Sequence, residues 1–165
     1  MPTRTTRGQG AKGAPPAGAL AGFLAKYTPA VATRARAALK TMRTLYPGAT
    51  QLVYDNYNAL AIAFGPTDRP GDIVCSITLY PKWVSLFFTH GAGLRDPERR
   101  LKGSGSRIRH VVLERATTMD EPAVRALIRE ALDEAGPRPA GRGALVIKSV
   151  AKQQRPRRPP TRSST

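Results

Sequence analysis

The spacing of apolar residues changes period twice along the chain, and this limits the fold more than any other feature. Over residues 29–46, PAVATRARAALKTMRTLY, the residues Val31, Ala35, Ala38, Met42 and Leu45 recur at helical intervals with Leu39 beside them. That spacing lays one apolar stripe along a helix. Past Pro47-Gly48 the period drops to two. TQLVYDNY, ALAIAFG, DIVCSITLY, KWVSLFF and SRIRHVVL each read as a strand, whose side chains go alternately to opposite faces. Over residues 120–135 the helical period returns, with Val124, Leu127, Ile128, Ala131, Leu132 and Ala135 in one stripe.

Local signals bound these segments. Thr28 suits a helix cap and Pro29 the first helical position, where no amide hydrogen bond is lost. Pro47-Gly48 and Gly136-Pro137 are stops. Thr118 and Glu121 have capping-box spacing ahead of the last helix. AGFLAKY, before Thr28, predicts a short helix with Phe23, Leu24 and Tyr27 turned inward. Tyr80-Pro81-Lys82-Trp83 reads as a tight hairpin turn and residues 65–72 as a looser one. Serial strands with short links favour an antiparallel sheet. The expected fold is therefore α+β: an antiparallel sheet of five to six strands with helices packed on one face. Residues 1–19 are expected to be a disordered basic tail and 20–136 one α+β domain. A linker over 137–152 would hold an edge strand at 144–150, and 153–165 would form a second disordered basic tail.

Charge sharpens this division. The net charge is +16, from 27 Lys and Arg against 11 Asp and Glu. All 11 acids fall between Asp55 and Glu134, so the cationic excess belongs mainly to the flanks. Such a chain will bind polyanions weakly and nonspecifically, through RPRRPPTR above all, yet no recognition-helix or zinc-finger signature accompanies the charge. No apolar run approaches the roughly 18 residues of a membrane span. The single cysteine, Cys75, rules out an intramolecular disulfide and suits a reducing, cytoplasmic setting.

Catalytic and metal motifs are missing from the sequence. Cys75 alternates with apolar residues and reads as a small core side chain. His90 and His110 have no metal-binding partner at the usual spacing, and His110 is expected in the core. No cofactor and no metal site are predicted, and the chain is read as non-enzymatic. The loop LKGSGSRIRHVVL leads into a strand, so it lacks the helix N-terminus of a nucleotide-binding loop. It reads first as a link into the sheet, and second as a basic nest for a carboxylate or phosphate. If Leu60, Ile62, Phe64, Ile77 and Leu86 face the helices, the reverse side carries hydroxyl and aromatic residues. The candidate ligand-binding residues are Lys102, Ser104, Arg107 and Arg109 of the loop with Tyr54, Thr78, Tyr80 and Trp83 of that face. The ligand would be a small anion or a protein partner; a second copy of the chain could also cover this face.

The order of helix, Pro-Gly stop, Tyr-bearing first strand, SITLYPKWVSLFF, LKGSGSRIRHVVLE and DEPAVRALIREAL resembles the YdhG-like domain, also called domain of unknown function 1801. The resemblance spans residues 21–135. It implies a small bacterial α+β domain with an antiparallel sheet and no established catalytic residues. Some members are linked to a frataxin-like iron-chaperone role, which is the alternative expectation. The few, scattered acids here depart from what iron delivery needs.

Overall fold

Residues 15–161 are described in the computed structural model of the protein. The first helix, α1, runs Pro16–Ala25, and α2 runs Pro29–Leu45. At the start of α2 the Val31 amide donates to the Thr28 hydroxyl oxygen at 3.3 Å, as the sequence predicts. The helix stops at Pro47-Gly48, where Gly48 takes φ +83°, a conformation a side chain would oppose. Its buried stripe is Val31, Ala32, Ala35, Ala38, Leu39 and Met42.

Five strands follow in series: β1 Thr50–Asp55, β2 Leu60–Gly65, β3 Cys75–Leu79, β4 Val84–Phe88 and β5 Arg109–Val112. Each pairs antiparallel with the one before it. The third helix, α3, runs Pro122–Glu134 and sends the chain back across the helical side to the far edge. There β6, Leu145–Val150, lies beside β1, giving the order β5-β4-β3-β2-β1-β6. This last pairing is parallel, which a helical crossover permits and a hairpin cannot. The expected antiparallel α+β sheet is thus present, with one parallel edge added.

One core joins the inner sheet face to all three helices. Leu60, Ile62, Phe64, Ile77, Leu79 and Leu86 are fully buried against Leu24, Leu39, Met42, Leu127 and Ile128. Each such aliphatic or aromatic side chain contributes about 1.5–3 kcal/mol relative to leaving it exposed. Cys75 sits in this layer with its thiol 3.8 Å from the Met42 sulfur, and burial pushes its pKa up to about 12. Leu52 and Ala63 are buried but belong to the reverse face.

Three sequence expectations need correction. Residues 16–19 are helical, not tail, and Leu20 and Leu24 anchor α1 in the core; residues 1–14 lie outside the described residues. The capping box does not form: the Thr118 hydroxyl accepts from the Arg115 amide, Pro122 takes the first helical position, and the Glu121 carboxylate pairs with Arg100 at 3.0 Å. Most consequentially, residues 153–161 are not a free tail. From Ala151 onward the backbone crosses the end of β1, with the Ala151 amide on the Asp55 carbonyl and the Arg155 amide on the Tyr57 carbonyl, both at 2.8 Å. Arg157 is the anchor. Its guanidinium donates to Asp55 Oδ1 at 2.8 Å and to the Asn56 and Tyr57 carbonyls, and it lies 5.8 Å from the Tyr27 ring. The pair is buried, and Asp55 Oδ2 and Arg157 Nε lie buried beside it without hydrogen-bond partners. Residues 162–165 lie outside the described residues. Among the described residues no helix is long and apolar enough to cross a membrane.

Candidate ligand-binding cleft

Two hairpin turns open at the same end of the sheet, because Leu60 faces both Asp55 and Leu79, and Leu79 faces Val84. The β3–β4 turn is closed by the Tyr80 amide donating to the Trp83 carbonyl at 2.9 Å, with Pro81 fixing φ at its second position. Closure brings the Tyr80 and Trp83 rings into a stack, centroids 4.6 Å apart and planes 20° from parallel. Trp83 nonetheless stays 43% exposed. The β1–β2 turn is closed by the Asn56 amide on the Ala59 carbonyl and holds Tyr57 out, 50% exposed.

Between the turns lies a floor of small residues, Ala59, Ala61 and Thr78, of which Ala61 and Thr78 are cross-strand partners. The third wall is the ordered C-terminal segment. Arg155 stands over the Tyr57 ring at 5.7 Å, and Arg158 reaches the Lys26 carbonyl at 3.1 Å, with prolines between and after them. The cleft is open to solvent, with a volume of about 1030 Å³. Lys82, Arg155 and Arg158 line it together with three aromatic rings, and no acidic side chain does. The nearest buried carboxylate, Asp55, is already answered by Arg157 and has Lys26 Nζ at 3.9 Å.

The structure divides the sequence-predicted site in two. Thr78, Tyr80 and Trp83 line the cleft. Tyr54 is one strand away, in the cross-strand row Tyr54–Ala61–Thr78–Ser85, and its hydroxyl is buried without a partner. Lys102, Ser104, Arg107 and Arg109 are elsewhere. Arg109 faces Phe88, four residues along β4 from the turn, or about 13 Å at strand rise. The Arg109 guanidinium folds back onto the carbonyls of Gly105 and Ile108, while Lys102 and His110 exchange backbone hydrogen bonds of 2.7 and 2.9 Å. Lys102 also shares a small hollow with Glu114 and Glu121. Ser104 and Arg107 are exposed. The loop is therefore a corner whose own arginine is turned onto its carbonyls.

His110 is another departure, lying on the outer face with its ring centroid 5.0 Å from that of Phe87 and not in the core. Burial and, secondarily, the Lys102 charge hold its pKa below the usual imidazole value. A second hollow, about 290 Å³, lies between residues 66–74 and the end of α3. Its Asp72 carboxylate is engaged by the Thr67 hydroxyl at 2.6 Å and by Arg69 at 3.0 Å. Among the described residues no three His, Cys, Asp or Glu side chains converge as metal ligands would.

Sequence reasoning missed Tyr57, Lys82, Arg155 and Arg158. The aromatic in DNYN and the cations of RPRRPP are visible in the sequence, but only the Arg157 anchor brings them to one place. Compared with protein-family models, curated proteins and solved structures, the chain finds no significant match.

Proposed function

We propose that the protein is a non-enzymatic binding module, and that its ligand is an anion carrying a flat ring, taken up in the cleft between the two hairpin turns. One observation carries the reading: exposed Tyr57 and Trp83 share a lining with Lys82, Arg155 and Arg158, without an acid among them. Rings offer stacking surfaces worth about 1–3 kcal/mol per contact. The cations offer charge-assisted hydrogen bonds of about 1.5–3 kcal/mol. One of each totals about 2.5–6 kcal/mol before ordering costs, which corresponds to an affinity of tens of micromolar at the tightest and millimolar or weaker at the other end. The resemblance to YdhG-like domains, which have no established catalytic residues, is consistent with binding as the whole activity.

Trp83 is the only tryptophan, so its emission reports on this cleft alone. Titration with adenosine monophosphate is expected to quench it, with adenosine and inorganic phosphate each far weaker. Lys82→Ala and Arg158→Ala should each weaken the nucleotide's effect several-fold. Emission that stays constant with every ring-bearing anion up to millimolar concentration contradicts the assignment.

A further inference from the structure

Resting on that reading, we infer that the ligand is an unpaired stretch of nucleic acid, with successive bases on the two turns and phosphates on the cationic wall. The two hairpins occupy adjacent strand pairs, so their centres are two strand spacings apart, about 10 Å. A ring sandwiched between two aromatic faces needs only about 7 Å, twice the contact distance. That separation of the turns suits two linked rings, one at each turn, better than a single ring shared between them. The cleft, at about 1030 Å³ and open to solvent, stands at the upper end of the usual range for small-molecule sites, about 300–1000 Å³, and leaves room for more than one ring. Its floor of Ala59, Ala61 and Thr78 is flat and small, leaving a base room to lie against the sheet end.

The charge pattern agrees with a phosphate backbone. Residues 137–161 hold seven basic residues and no acid, and Arg155 and Arg158 bring that run to the rim beside Lys82. Stacking demands unpaired bases, since those of a duplex present only their edges in the grooves. No helix enters the site, and the exposed rings lie on turns, as in platforms that bind single strands without reading sequence. An acidic peptide would satisfy the cations and leave both aromatic faces unused.

The full chain is titrated with a ten-residue oligothymidine while Trp83 emission is followed, in parallel with a duplex of equal length, a polyglutamate decamer and adenosine monophosphate. The oligothymidine should quench. With three phosphate contacts, log K should fall with log salt at a slope of about −2. Arg155→Ala and Arg158→Ala should each make the slope shallower by roughly 0.7. Tyr57→Ala, an exposed change, should lower affinity about 5- to 150-fold, the loss expected of one stacked base. The inference is overturned if the duplex or polyglutamate binds as tightly as the oligothymidine, or if Tyr57→Ala binds it like wild type. Quenching by the mononucleotide without the oligothymidine overturns the inference alone. Silence from both overturns the inference, and silence from every other ring-bearing anion removes the binding-module reading with it.

Discussion

Arg157→Ala tests the anchor that builds the third wall of the cleft. In the native protein the side chains of Arg157 and Asp55 are 4% and 1% exposed, so solvent screens their 2.8 Å pair very little. Truncation removes the hydrogen bond to Asp55 Oδ1 and leaves a buried carboxylate whose nearest cation, Lys26 Nζ, is 3.9 Å from Oδ2. Breaking a buried pair from one side costs about 3–5 kcal/mol, and the surviving lysine argues for the lower end, about 3 kcal/mol. For a chain of this size that lowers Tm by about 6–12 °C. Urea unfolding followed by far-ultraviolet circular dichroism measures the global loss. Hydrogen exchange at the Arg155 amide, bonded to the Tyr57 carbonyl at 2.8 Å, reports whether the segment has lifted away. Asp55→Asn combined with Arg157→Met should recover much of the loss, because neither buried charge then remains. An Arg157→Ala protein with unchanged urea midpoint and a still-protected Arg155 amide would refute the anchoring role.

Burial closes the Cys75 thiol off from solvent and pushes its pKa up to about 12, so a thiol reagent should label it only as fast as the protein opens. Rapid labelling of folded protein contradicts the packing described. Burial, offset in part by Arg157, raises the Tyr27 hydroxyl from 10.0 to about 12. Its contribution is complete below pH 10 and is lost as pH climbs toward 12, amounting to about 3 kcal/mol at about 1.4 kcal/mol per unit. Tyr27→Phe should lack that alkaline loss when urea midpoints are compared between pH 9 and 11; identical slopes would dispose of it. Gly143→Ala places a methyl group on the Ala49 carbonyl, backbone that cannot yield, and should cost about 1–3 kcal/mol. The Gln51 amide, bonded to the Ala144 carbonyl, should lose exchange protection first, and a variant protected there like wild type argues against the clash.

Alternation made the central sheet legible because β2, β3 and β4 each have a wholly buried inner face. Ile62, Ile77 and Leu86, which share one cross-strand row, can be recognised from period alone. Thr78, Tyr80 and Trp83 followed from the same parity. The direction of β6 did not, since ALVIKSV pairs equally well either way and only the route through α3 decides it. The order of residues 153–161 was invisible to composition because it hangs on a contact 102 positions apart in sequence. Three cations around a glycine-serine loop suggested an anion grip, but composition is silent on where Arg109 bends, and it bends onto the loop's own carbonyls.

The distance along the chain between Asp55 and Arg157 bears on synthesis. At 5–20 residues per second, the carboxylate is made about 5–20 s before its guanidinium. Throughout that interval the Asp55 carboxylate has only the half-exposed Lys26 as a cation and lacks the buried guanidinium that covers the end of β1. The clasp is the last part of the fold to become available, and a chain cut before residue 157 lacks the guanidinium that fastens its rim.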